Sequence, residues 1–349
     1  MNSNEDSREM ATLVRTNFRF LEYARRTTLL FVLLVCAATA AAQGRKYGVF
    51  VGINDYPFEG GQLHGAVNDA TKLRDTMVSL FGFDLGHTSL LTNSAATRDG
   101  IIGSLTKYEG LVRRGDLFVF TYSGHGTVFP DKYSEELDET RKISMNVLLG
   151  EERFVLPLGL YDSALVPIDA DKDTGGRSWK NLILDDELYG LFSAFTRKGA
   201  SVVFLSDSCH SGSIGKGART ESVRVKFISP LKALKVKSLE ETKATTPRNQ
   251  KITTRQLGGQ YLILTGSKDD EFSLDVGGGT PNASGLFTRT LLKVIEVRGT
   301  DMTYSQLIRL VQPEVNRQAR EADNPQTPQL DARFGDPDAK IFRAPTGAN

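Results

Sequence analysis

Residues 201–212 read SVVFLSDSCHSG, and residues 116–126 read DLFVFTYSGHG. Each opens as a nearly continuous run of β-branched and aromatic residues, the pattern of a strand covered on both faces. Each then breaks into a turn of small polar residues that carries one reactive side chain, Cys209 in the first and His125 in the second. Further strands are expected at 47–53 (YGVFVGI), 88–91 and 261–265 (YLILT). Helical spacing occupies 65–80, 97–112, 184–195, 286–297 and 303–317. The first helix would bury Ala66, Ala70, Leu73, Met77 and Leu80, and the second Ile101, Leu105 and Leu111. Strand and helix alternate, so the expected fold is α/β, with a central, mostly parallel sheet and helices on both faces. In such sheets function gathers beyond the carboxyl ends of the strands, where Cys209 and His125 stand.

The pair defines a chemistry. A thiol in a tight turn lies near unpaired backbone N–H groups, which lower its pKa and later hold an oxyanion. Glycines on both sides of His125 let the backbone approach a substrate, and the imidazole can take the thiol proton and return it to a leaving amine. The chain has only four histidines. His64 and His87 lie in apparent loops, and His210, next to Cys209, should point to the opposite face of an extended chain. His125 and Cys209 are therefore the expected catalytic pair, with the N–H groups of Gly126 and Cys209 as the oxyanion hole.

Two stretches break the alternation. Residues 130–164 are polar at first and then suggest a hairpin over 153–163. Residues 216–255 carry eleven Lys and Arg against three acids, and read as an exposed, mobile loop.

Ser123-Gly124-His125-Gly126 and Asp207-Ser208-Cys209-His210-Ser211-Gly212, in that order, resemble the caspase-like cysteine peptidases, in the metacaspase form, over roughly residues 45–345. Matching pieces are Gly52-Ile53-Asn54, Gly65-Ala66-Val67-Asn68-Asp69, Pro167-Ile168-Asp169, Asp185-Asp186-Glu187 and Gly285-Leu286-Phe287-Thr288. The resemblance implies a caspase-like α/β/α sandwich around six strands. Residues 43–215 would be the large-subunit region, 216–255 a basic linker and processing site, and 256–349 the small-subunit region of the same domain. It implies cleavage of protein or peptide substrates after Arg or Lys, with Asp69 and Asp207 as the pocket acids; two carboxylates favour a cation and repel an aspartate. It also offers Asp169, Asp185 and Asp186 as calcium ligands. The fourth ligand position falls on Lys216, a poor substitute for a hard-cation ligand, so no cofactor is expected to be required. A catalytically silent binding module and a secreted peptidase of the clostripain or gingipain type are the alternatives.

Composition is that of a globular protein, 40% hydrophobic and 24% charged. Lys and Arg number 43 against 42 Asp and Glu, so no global field points to nucleic acid. Arg25 and Arg26, the apolar run 29–35 and the small residues 37–42 describe a signal peptide, with Ala40 and Ala42 before the cut and Gln43 the new N-terminus. An uncleaved anchor is the alternative, although the run is shorter than the roughly 20 residues that span a bilayer. The peptidase region is thus expected outside the cytosol, touching a membrane only if the leader stays. Loss of residues 1–42 removes Cys36 and leaves Cys209 as the sole cysteine.

Overall fold

The computed structural model of the chain describes residues 25, 44–58, 60–130, 146–149, 152–155, 161–172, 178–209, 222–228, 243–244, 259–268 and 271–345. The leader apart from residue 25, His210, Lys216 and most of the basic stretch 216–255 lie outside the described residues.

Six strands form the central sheet. In chain order they are β1 (Lys46–Gly52), β2 (Thr88–Thr92), β3 (Leu117–Ser123), β7 (Ser201–Asp207), β9 (Tyr261–Thr265) and β12 (Gln329–Phe334). Their spatial order is β12-β9-β7-β3-β1-β2. All neighbours run parallel except β12, which is antiparallel to β9. Smaller strands lie beside this sheet: β4 (Gly126–Pro130), β5 (Tyr161–Leu165), β6 (Ile183–Leu184), β8 (Val223–Val225), β10 (Leu274–Val276) and β11 (Ser284–Gly285). The helices are α1 (Ala66–Phe81), α2 (Arg98–Leu111), α3 (Asp185–Arg197), α4 (Leu286–Arg298) and α5 (Tyr304–Glu321).

The period of two along each strand divides the core. Phe50, Leu117, Val119, Val203 and Leu205 face one apolar cluster with α1, α4 and α5. Val49, Val51, Phe118, Phe120, Val202 and Phe204 face the other, with α2 and α3. This is the expected sandwich. Burial on both faces explains why the central strands read as unbroken apolar runs.

Two inward assignments fail at helix ends. Leu80 is 51% exposed and Leu111 is 46% exposed; Phe81 and Tyr108 are the buried residues instead. Positions 66, 70, 73 and 77 form one stripe at about 3.6 residues per turn; at the end of the helix the fold buries Phe81 and leaves Leu80 to solvent. The hairpin expected over 153–163 is not the pairing found: Glu152–Val155 pairs back to Asn146–Leu149, and Tyr161–Leu165, as β5, pairs with β4. The stretch 216–255 is not uniformly exposed: residues 222–228 lie in a cleft of the domain, and Lys226 is fully buried.

Candidate active site

The central register places the two motifs side by side. In adjacent parallel strands β3 and β7, Ser123 stands opposite Asp207. His125 and Cys209 each follow two residues later, so both leave the sheet at the same level. Both are buried.

His125 is held from several directions. Its backbone N–H donates to Tyr56 Oη at 2.8 Å, and Tyr122 Oη donates to its carbonyl at 2.8 Å. Its ring packs 4.7 Å from that of Tyr56. Nε2 lies 2.7 Å from the Gly61 carbonyl oxygen. A carbonyl only accepts, so the ring proton sits on Nε2, and Nδ1 is the basic nitrogen. The Ser273 N–H donates to Cys209 Sγ. Burial pushes the thiol up to about 12, with the Ser273 amide acting in the opposite direction.

The chain itself fills the cleft beside this pair. β8 runs antiparallel to β10, with Val223 opposite Val276, Arg224 opposite Asp275 and Val225 opposite Leu274. The Lys226 N–H donates to the Ser273 carbonyl at 3.0 Å. The Lys226 carbonyl oxygen then accepts from two N–H groups, Gly126 at 3.0 Å and Cys209 at 3.2 Å. These are the two donors assigned from sequence to an oxyanion. The Ile228 N–H donates to the Gly126 carbonyl at 3.0 Å. An extended segment is thus bound on both sides of the Lys226–Phe227 peptide bond, in the manner of a peptide added to a sheet edge.

The Lys226 side chain enters the pocket of Asp69 and Asp207. Nζ lies 3.1 Å from Asp69 Oδ2, 3.3 Å from Asp207 Oδ2 and 2.8 Å from Ser123 Oγ. Three ammonium protons thereby meet three acceptors. Burial alone would lower the Lys226 pKa; the carboxylates of Asp207, Asp69 and Asp275 outweigh it and hold the ammonium charged. Burial raises the Asp207 pKa, and the Lys226 charge opposes it.

Distant parts of the chain build this pocket. Asp69 comes from the first turn of α1 and accepts from the Gly285 N–H at 2.8 Å, from Ser123 Oγ at 2.7 Å and from Ser284 Oγ. Asp207 ends β7 and accepts from the N–H and hydroxyl of Thr288 in the first turn of α4, where a helix favours negative charge. Asp275 accepts from the N–H groups of His64 and Gly65 before α1. Gly285 keeps the pocket open: a Cβ there would lie 2.0 Å from Asp207 Oδ2 and 2.3 Å from Lys226 Nζ. Asp207 Oδ1 is buried, and among the described residues it has no hydrogen-bond partner.

The three acids offered for calcium are placed differently. Asp169 Oδ1 accepts from the Arg98 N–H at the start of α2, and its Oδ2 accepts from Asn181. Asp185 accepts from the Asp186 N–H at the start of α3. Among the described residues no three acids, histidines or cysteines gather as a metal site.

Sequence reading brought forward the pair, the two N–H donors and both pocket acids. It did not single out Lys226, Ser273, Asp275, Ser284 or the Gly61 carbonyl, and Ser123 stood in a quoted motif without a role. Gly285 and Thr288 stood within a quoted motif, but without a role.

A protein-family model described as Caspase domain matches residues 45–336, and the chain belongs to that family. It is a family of caspase-like cysteine endopeptidases, and metacaspases are among the chain's relatives. Metacaspase-9 of Arabidopsis thaliana is 24% identical over 329 residues, covering 78% of this chain and 90% of that protein. Metacaspase-4 of the same plant is 29% identical over 174 residues, 48% of this chain and 34% of that protein. Coverage of the relatives therefore ranges from nearly their full length to about a third. The fold is similar to that of protein GSU0716 from Geobacter sulfurreducens, with a TM-score of 0.57 at 22% identity, over 86% of this chain and 99% of that one.

Proposed function

We propose that the protein is an Arg/Lys-specific endopeptidase working through His125 and Cys209, and that one of its substrates is its own Lys226–Phe227 bond. One observation carries the reading. Lys226 lies with its ammonium between Asp69 and Asp207 and its carbonyl oxygen on the N–H groups of Gly126 and Cys209. A lysine before a scissile bond needs both positions at once.

In this reading His125 Nδ1 takes the thiol proton, and Sγ attacks the carbonyl carbon of the residue in the pocket. Charge develops on the oxygen held by the two N–H groups, which are set in place before reaction. The proton returns to the departing amine, and water then hydrolyses the thioester. With its own segment in the cleft the thiol is buried, so intact protein is self-blocked until the bond is cut or the segment moves away. Arginine fits the same pocket, because its five donors exceed those of lysine and Asp207 Oδ1 offers a further acceptor. No metal enters the proposal. If residues 1–42 act as a leader, this chemistry takes place after export.

Matched fluorogenic peptides ending in Arg, Lys or Asp test the specificity. Arg and Lys peptides are expected to be turned over at least about a hundredfold faster than the Asp peptide, because an Asp would be buried unpaired beside two carboxylates. A preference for Asp would overturn the assignment of the pocket. No turnover of any peptide, by wild-type protein after incubation, would favour the silent module.

A further inference from the structure

The residue after the proposed scissile bond is held as firmly as the one before it. Phe227 is 8% exposed. It belongs to the same apolar cluster as Val128, Cys209 and Phe272, and its ring centroid is 6.2 Å from that of Phe272. The backbone fixes this placement. Gly126 and Phe227 form a parallel bridge. The Ile228 N–H donates to the Gly126 carbonyl at 3.0 Å, and Thr127 Oγ1 donates to the Ile228 carbonyl at 2.8 Å. These bonds go to main-chain atoms, so they set the register of any bound peptide, whatever its side chains. The side chain following the cut bond therefore always enters the recess that Phe227 now fills.

That recess is apolar. Val128, two residues beyond Gly126 on β4, is 3% exposed, and Phe272, two residues before Leu274 of β10, is 6% exposed. A large apolar side chain gains free energy by leaving water there, whereas a charged one would give up its hydration among apolar side chains.

We propose that the cleft carries a second specificity site, on the leaving-amine side, that takes a bulky apolar residue. Phe227 is its occupant in the intact chain. This rests on the assignment of Lys226 to the pocket before the scissile bond, and it adds a requirement that pocket does not impose: the protein selects Lys or Arg followed by Phe, Leu or a similar side chain.

The test uses internally quenched peptides copying residues 222–228, SVRVKFI, with Phe, Leu, Ala or Glu after the lysine, and one further peptide with Asp in place of the lysine. Products are identified by mass, so that a cut after the arginine is scored apart. The Phe and Leu peptides are expected to exceed the Ala peptide in kcat/KM by about tenfold or more, and the Glu peptide by a wider margin. Phe272→Ala should shrink the ratio of Phe to Ala while the preference for Lys over Asp persists; the ratio is read on whatever activity that variant retains. Equal turnover of the four lysine peptides would overturn the second site and leave the lysine pocket standing. Cleavage of the Asp peptide in preference to the lysine peptides would overturn both.

Discussion

Two groups of aspartates were marked in the sequence, and the fold treats them in opposite ways. Asp69 and Asp207 come from α1 and β7, are almost fully buried, and converge on one ammonium. Asp169 and Asp185 receive backbone N–H groups at the starts of two separate helices. A carboxylate at a helix start is satisfied locally and can remain near solvent. Two carboxylates buried together cannot both stay ionised without a cation between them. In this chain the cation between the first group is the ammonium of Lys226, from the stretch 216–255.

The largest effect that would break this comparison is loss of a pocket acid. Truncating one partner of a buried, hydrogen-bonded charge pair costs about 2–5 kcal/mol, so Asp207→Ala or Asp69→Ala should lower kcat/KM on Lys and Arg peptides by at least about thirtyfold. Asp186→Ala should cost far less in the same assay. Equal losses for the pocket acids and Asp186 would show that the distinction between the groups is wrong.

A smaller effect is expected at Gly285. The methyl of Gly285→Ala would collide with the Asp207 carboxylate and with the bound lysine. Overpacking of this kind costs about 1–3 kcal/mol, so the melting temperature of the intact protein should fall and turnover of Lys peptides should drop about tenfold. Unchanged kinetics would mean that substrates do not reach the depth at which Lys226 lies. The smallest effect is expected from calcium. Because Asp169 and Asp185 already accept from backbone N–H groups, rates with added calcium and with chelator should agree within about twofold. A strict requirement for calcium would show that the second group of acids rearranges into a site.

The contrast also explains what could be read from the sequence. Strands buried on both faces announce themselves, and so did a thiol and an imidazole placed just beyond two of them. The sixth strand did not: β12 carries Asp331 and Arg333 at the sheet edge and lacks the apolar run of its neighbours. Lys226 was one of eleven cations in a stretch that reads as solvated. Nothing local marks it as buried, because its partners Asp69, Ser123 and Asp207 are brought to it by the fold. The two helix positions misassigned inward, Leu80 and Leu111, failed for a different reason. Each stands at the end of its helix, where an aromatic on the same helix, Phe81 or Tyr108, is buried and the leucine is exposed.

The central claim is that the protein holds its own Lys226–Phe227 bond as a substrate. Intact-mass analysis of purified wild-type protein over time, beside Cys209→Ala and Lys226→Ala, tests it most directly. The wild-type protein is expected to yield one early fragment ending at Lys226 and another beginning at Phe227, with neither appearing in the two variants. Fragments ending elsewhere in wild-type protein while this bond stays whole, or the same cut in Cys209→Ala protein, would contradict the account.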